Sequence, residues 1–343
     1  MDRRLGFTGE LATTAMGIMP HEDIDDALRL ALTLDIPFWP QLPKLSYYED
    51  MYVQAMEHFP GIVIDEERLR IFVDSNRFME EIPEYLENEG IERLFRLSDR
   101  FAQAYQRFLT ARLGSYRSIR GQIISPISLA LKITDENGKP IVYNDEVRAF
   151  TYAFIQKKLN VQYGELKEKN DNAFVWIDDP GLEFIFNAMC GYDNVKAKRE
   201  LTEFFEGVDG PRGLHLCGRP DWDFLLTLNI EILSFNANAF GDLFVTYDKV
   251  KDFLERGSII SWGIVPTSYD DFVGEDVEGL AKRLETMWDV LGEKGLDRQL
   301  VVRQGLLAPA TCNLVNADKS ATVEKSFALL GEVSDYLKGK YLQ

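Results

Sequence analysis

The segment G-L-H-L-C-G (213–218) places a histidine and a cysteine two residues apart, His215 and Cys217. On a strand, residues i and i+2 share a face, so both side chains can point into the same space. Imidazole and thiolate at that spacing suit zinc, which prefers nitrogen and sulfur ligands. Taken alone, the pair reads equally well as a buried histidine beside an inert cysteine. Cys312, in L-L-A-P-A-T-C-N (306–313), tips the balance, because it follows the last apolar run of the chain. Three soft ligands from two strand ends make a catalytic type of zinc site, with three protein ligands and one open position. A free thiol is mostly protonated near neutral pH, whereas a thiol on zinc is deprotonated. Such a site can hold a substrate sulfur ready for alkylation. The other use of catalytic zinc is to activate water. Two cysteinates already neutralise the ion and weaken its pull on water, which favours the thiol.

Two further segments end apolar runs on polar groups. F-V-W-I-D-D-P (174–180) puts two carboxylates at a strand end. Asp179, ahead of Pro180, suits a helix cap; Asp178 is free to bind an ammonium group or to serve as general acid or base. M-G-I-M-P-H (16–21) leads from a strand into a helix, where backbone N–H groups near Gly17 and Ile18 can take a carboxylate. His21 reads as an acid–base candidate or as a surface histidine. Gln41, closing D-I-P-F-W-P-Q-L (35–42), is a candidate substrate contact. Cys190 reads as a packed cysteine.

The elements that must position these residues alternate. Eight apolar runs stand at 12–20, 35–42, 120–128, 172–180, 212–220, 230–238, 258–266 and 299–309. Most are short and apolar on both faces, as in strands of a parallel sheet. Between them run helical patterns at 21–34, at 144–169 with an Asn144 cap, at 275–295 with a glycine stop, and at 320–342. Residues 65–118 read as a helical, aromatic-rich insertion with no strand of its own, lying over one face. This alternation predicts an α/β fold, a (β/α)8 TIM barrel with that insertion, as a single domain over residues 1–343. Two Rossmann-like halves are the alternative, but no G-x-G-x-x-G follows a strand. In a barrel the chemistry sits at the C-terminal ends of the strands, where His21, Gln41, Asp178, Asp179, His215, Cys217, Asn236, Asn238 and Cys312 all fall.

Composition narrows the partners. The formal net charge is −18 with a hydrophobic content of 45%, so a full core is expected and nucleic acid or an anionic membrane is not. No apolar run reaches the roughly 18–20 residues that span a bilayer. The N-terminus lacks a signal-peptide pattern, and the three cysteines form no disulfide framework. These features fit a cytoplasmic enzyme.

With those residues in hand, the chain resembles the superfamily of uroporphyrinogen decarboxylase and of the C-terminal, catalytic half of cobalamin-independent methionine synthase. The resemblance runs from T-A-M-G-I-M-P-H (14–21) to the last helix. It is carried by F-W-P-Q-L-P (38–43), S-P-I-S-L-A (125–130), W-I-D-D-P-G-L (176–182), H-L-C-G (215–218) and P-A-T-C (309–312). The decarboxylase's arginine-rich N-terminal motif is missing, and the synthase branch is nearer. That branch implies a (β/α)8 barrel, zinc on His215, Cys217 and Cys312, and homocysteine bound through its sulfur. It implies Asp178 on the amino group and the backbone at Gly17 on the carboxylate. Two positions depart from it. Asn236 stands where the synthase has a glutamate ligand, and Ile18 where a serine is usual. The folate-binding half is absent, which on this resemblance implies another methyl donor, such as a methylcorrinoid carried by a partner protein. The expectation is a zinc-dependent methyltransferase acting on a thiol. The alternatives are a decarboxylase-like lyase acting on a tetrapyrrole and a non-catalytic barrel that binds a corrinoid protein.

Overall fold

The computed structural model describes residues 5–185 and 190–342. Its strands, in chain order, are β1 (Ala12–Thr13), β2 (Ile62–Asp65), β3 (Arg70–Val73), β4 (Arg120–Ile124), β5 (Thr134–Asp135), β6 (Phe174–Asp178), β7 (Arg212–Leu216), β8 (Ile232–Phe235), β9 (Ile259–Val265) and β10 (Gly305–Pro309). Seven of them form one curled sheet in the order β1-β10-β9-β8-β7-β6-β4, all parallel. Every residue of β4, β6, β7, β8, β9 and β10 is buried, as their continuous apolar runs require.

The run at 35–42 is not a regular strand, and its prolines supply the reason. Pro37 and Pro40 have no N–H to donate to a ladder. The segment still lies between β1 and β4. Ile36 N–H donates to Thr13 (2.9 Å) and Gln41 N–H to Gly17 (2.7 Å), while Met19 N–H donates back to Gln41 (3.0 Å). On the other side Arg120 N–H donates to Pro37 (3.0 Å). The run at 299–309 also divides. Asp297 caps a helix over Arg298–Arg303, leaving only Gly305–Pro309 extended.

The insertion holds a strand that the sequence reading did not expect. β3 pairs antiparallel with β2 and parallel with β5. The charged stretch Glu66–Leu69 looks helical but turns back instead, with Arg68 N–H on the Asp65 carboxylate and Leu69 in the left-handed region at φ 47°. The helices Ser75–Asn88 and Gln103–Leu109 follow. The four long helical patterns form as Ile24–Ala31, Asp145–Lys167, Val277–Glu293 and Ala321–Tyr341, the second capped by Asn144.

The core has two parts. The larger packs helices against the outside of the sheet. The smaller consists of Ala12, Met16, Ile36, Phe174, Trp176, Ile232, Ile259 and Leu306, with Leu5, Phe7 and Cys312 packed against it. Side chains from the 12–16 and 36 segments thus meet those of β6, β8, β9 and β10 on the sheet's other face. Gly213 permits this crowding, because a Cβ there would fall 2.3 Å from that of Trp176. No helix of the described residues is long and apolar enough to cross a membrane.

Candidate active site

The register of three neighbouring strands sets the site. Asp178 of β6 pairs with His215 of β7, which pairs with Ser234 of β8. Strand alternation sends all three to one face. His215 Nδ1 lies 2.9 Å from Ser234 Oγ, and its Nε2 lies 3.3 Å from Cys217 Sγ. With Nδ1–H on the serine, the Nε2 lone pair faces the thiol. The imidazole stacks on Trp176 with centroids 5.5 Å apart and 22° between planes. Burial, reinforced by the Arg120 guanidinium, drives its pKa down to about 3, so the ring is neutral.

Cys312 completes the group from the loop after β10. Its thiol and that of Cys217 are joined by a hydrogen bond. That bond raises Cys217 and lowers Cys312. Asp178 faces both sulfurs closely enough to act on them electrostatically. It is 7% exposed, and neither carboxyl oxygen has a hydrogen-bond partner. Burial pushes it up to about 7; Arg120 opposes that shift and Asp179 adds to it. Asp179 is engaged instead. It accepts from the Ser128 and Ser125 hydroxyls and from Leu182 N–H, in keeping with a capping role.

The other sequence candidates lie apart or are committed. Ile18 shares the wall of a small cavity with Cys312, Met16, Met19 and Phe327. Gly17 lies against Gln122, whose amide nitrogen would be 2.3 Å from a Cβ. Gln41 donates to Gln54 (2.8 Å), which donates to Glu49 (3.1 Å), while the Gln41 Oε1 is buried without a partner. Asn236 accepts from Ala239 N–H (3.0 Å) and caps the helix Ala237–Phe244. His21 is buried beside Glu324 (3.5 Å) and lines a separate cleft of about 570 Å³ with Glu22, Asp26, Arg29 and Lys319. Cys190 packs against the larger core.

Two residues escaped the sequence reading. Tyr52 faces Asp178, Asp179 and Cys312 from the helix Met51–Ala55, and burial raises its phenol so that it stays protonated. No local pattern marks it. Arg120 is fully buried next to Trp176 and Asp178. A charge at the head of the apolar run R-G-Q-I-I was a usable signal.

In kind, the donors suit a soft divalent ion, with one imidazole lone pair and two sulfurs in contact. The His215–Cys217 separation is close to the roughly 3.5 Å between ligands of a tetrahedral zinc. As they stand, however, the thiols hold each other. Among the described residues, no group of three or more His, Cys, Asp or Glu side chains is already arranged to hold a metal ion.

No family model and no curated protein matches this sequence. The fold is similar to that of a B12-independent methionine synthase from Shewanella sp. W3-18-1, in complex with selenomethionine. The TM-score is 0.55 and the identity 14%, with 97% of this chain and 99% of that one covered. It is similar also to a methyltransferase from Methanosarcina mazei, with TM-score 0.55, 14% identity, and 98% and 95% covered.

Proposed function

We propose that this chain is a methyltransferase that moves a methyl group onto a thiol bearing an amino group. The observation that carries the reading is the Asp178 carboxylate, buried with both oxygens unpartnered beside two thiols in contact. A buried, unpaired carboxylate is costly, and a cationic ligand relieves that cost. An ammonium on Asp178 would set the substrate's sulfur towards Cys217 and Cys312. Tyr52, a phenol that stays protonated, can donate a hydrogen bond over the same space. Segment 36–41 is read as the eighth stave of a (β/α)8 barrel, which the hydrogen bonds on both its sides support.

Zinc on His215, Cys217 and Cys312 is part of this proposal, with Asn236 left to its helix cap. When bound, it would supply the charge that keeps the acceptor's sulfur a thiolate. The protein's own share is orientation. Ser234 Oγ would accept from His215 Nδ1–H and leave Nε2 for the ion, as second-shell groups do for metal-binding histidines. The Gly17–Ile18 backbone and Gln41 are proposed to lie towards the acceptor's carboxylate. The donor could be a methylcorrinoid on a partner protein. Against that need, the Shewanella neighbour is B12-independent and is covered almost end to end by this chain. A tetrapyrrole carboxylate is disfavoured, because Asp178 and Asp179 would repel it.

Metal analysis combined with a methyl-transfer assay over a panel of thiols tests the reading. The expected result is about one zinc per chain and a preference for thiols carrying an amine. Zinc-free protein whose properties are unchanged by Cys217→Ser and Cys312→Ser overturns it.

A further inference from the structure

We propose that Arg120 is a positioning residue for this site: its guanidinium, clamped between Phe38 and Trp176, sets the plane of the His215 imidazole and the path of the backbone at Ala15. The inference rests on the proposed function for its purpose, but on geometry for its substance.

The guanidinium carbon lies 3.7 Å from the Trp176 ring centroid and 5.0 Å from that of Phe38. Trp176 in turn stacks on His215. Guanidinium, indole and imidazole therefore form a column in which each plane is held by the next. Cation–π attraction favours the cation over an indole face, and more so once water is excluded. The donors of the guanidinium fix its orientation. Nε reaches Thr14 Oγ1 (3.3 Å), Nη1 reaches Gln122 Oε1 (3.0 Å) and the Gly121 carbonyl (3.3 Å), and Nη2 reaches the Ala15 carbonyl. Ala15 and Thr14 belong to the segment that leads to Gly17. One planar group thus ties the imidazole to the stretch proposed to receive the acceptor's carboxylate.

A purely structural role does not explain this residue. Its hydrogen-bond partners are a hydroxyl, an amide oxygen and two carbonyls, none of them a carboxylate. A charge taken out of water without an ion-pair partner is costly, and an apolar side chain of similar length would fill the space more cheaply. Arg212 shows the structural solution in the same sheet, with a two-pronged ion pair to Glu231. What Arg120 does face is Asp178 and His215.

The test uses the full chain with Arg120→Met, Arg120→Lys and Trp176→Phe. The chain has three histidines, so the imidazole nitrogens are resolvable by 15N NMR, with His215 assigned by its substitution. In metal-free wild type, His215 is expected as the tautomer protonated on Nδ1. Arg120→Met and Arg120→Lys should both mix the tautomers, because lysine keeps the charge but not the plane; Trp176→Phe should do so in part. Cobalt(II), added alone, should bind the Arg120 variants at least tenfold more weakly, in line with second-shell losses elsewhere. His215 signals identical to wild type in Arg120→Lys and Trp176→Phe overturn the inference, as does full rescue by lysine. These two variants decide it if Arg120→Met does not fold. A wild type that takes no cobalt sinks the metal reading, while the imidazole signals still judge Arg120.

Discussion

The two ends of the parallel strands treat buried charge differently. At the N-terminal end of β7, Arg212 is 2% exposed and bonds Glu231 through Nε (3.0 Å) and Nη2 (2.6 Å). Nearby, Arg256 donates to the Leu228 and Ile230 carbonyls (2.7 and 3.3 Å). At the C-terminal end, neither carboxyl oxygen of Asp178 has a hydrogen-bond partner, and one carboxyl oxygen of Asp179 has none. The Arg212 charge at the foot of the sheet is paired, and the Asp178 carboxyl at the mouth is not. In parallel α/β sheets, ligands bind beyond the C-terminal ends of the strands.

Four changes would break or sharpen that contrast. Exchanging the thiols, with Cys217→Ser and Cys312→Ser together, should cost the proposed methyl transfer roughly a thousandfold, about 4 kcal/mol of barrier. The melting temperature should barely move, because neither side chain belongs to the main core. Arg212→Met should do the reverse. It strands Glu231 and should lower the unfolding free energy by about 3 kcal/mol in urea titrations, with kcat and KM unchanged. Asp178→Asn should raise KM for an amino thiol by about tenfold to a hundredfold, roughly 1.4–2.8 kcal/mol, and leave KM for a thiol without an amine unaffected. Its stability should change little, since the desolvation relieved at Asp178 is offset by the counter-charge lost opposite Arg120.

The smallest effect concerns Glu49, buried beneath the Gln41–Gln54 chain. Burial pushes its carboxyl up to about 7, against hydrogen bonds from Ala104, Gln103 and Gln54. Because the folded pKa exceeds the unfolded one, the folded state holds the proton more tightly. The contribution is fully present below about pH 4.3, the unfolded value, and is lost as pH rises towards 7. Unfolding free energy measured from pH 4 to 7 should fall less steeply in Glu49→Gln than in wild type. Equal slopes would remove Glu49 from the account.

Much of this architecture was legible in local patterns. Uninterrupted apolar runs marked β4, β6, β7, β8 and β9, and the two-residue periodicity aligned His215 with Cys217. The segment at 35–42 was legible as apolar but not as irregular, because its prolines act by removing donors rather than by changing hydropathy. The β2–β3 hairpin was missed because its turn, Glu66–Leu69, has the composition of a helix. Asn236 was read against a ligand position, although Asn ahead of A-N-A-F-G-D is also a cap signal, and the cap is what forms. Tyr52 carries no local signal, and Arg120, though marked by its charge at the head of an apolar run, could not be given a role. Their roles arise from contacts with Phe38, Trp176, Asp178 and Cys312, which are distant in the chain, and no periodicity encodes such contacts.

The central proposal is that His215, Cys217 and Cys312 would gather around an ion with room for one more sulfur. Zinc X-ray absorption on the full chain, with and without homocysteine, tests it most directly. The account predicts two sulfurs at about 2.3 Å and one nitrogen at about 2.0–2.1 Å, with a third sulfur appearing when the thiol is added. A chain that retains no zinc, or a zinc shell that is the same in Cys312→Ser and indifferent to the thiol, would contradict it.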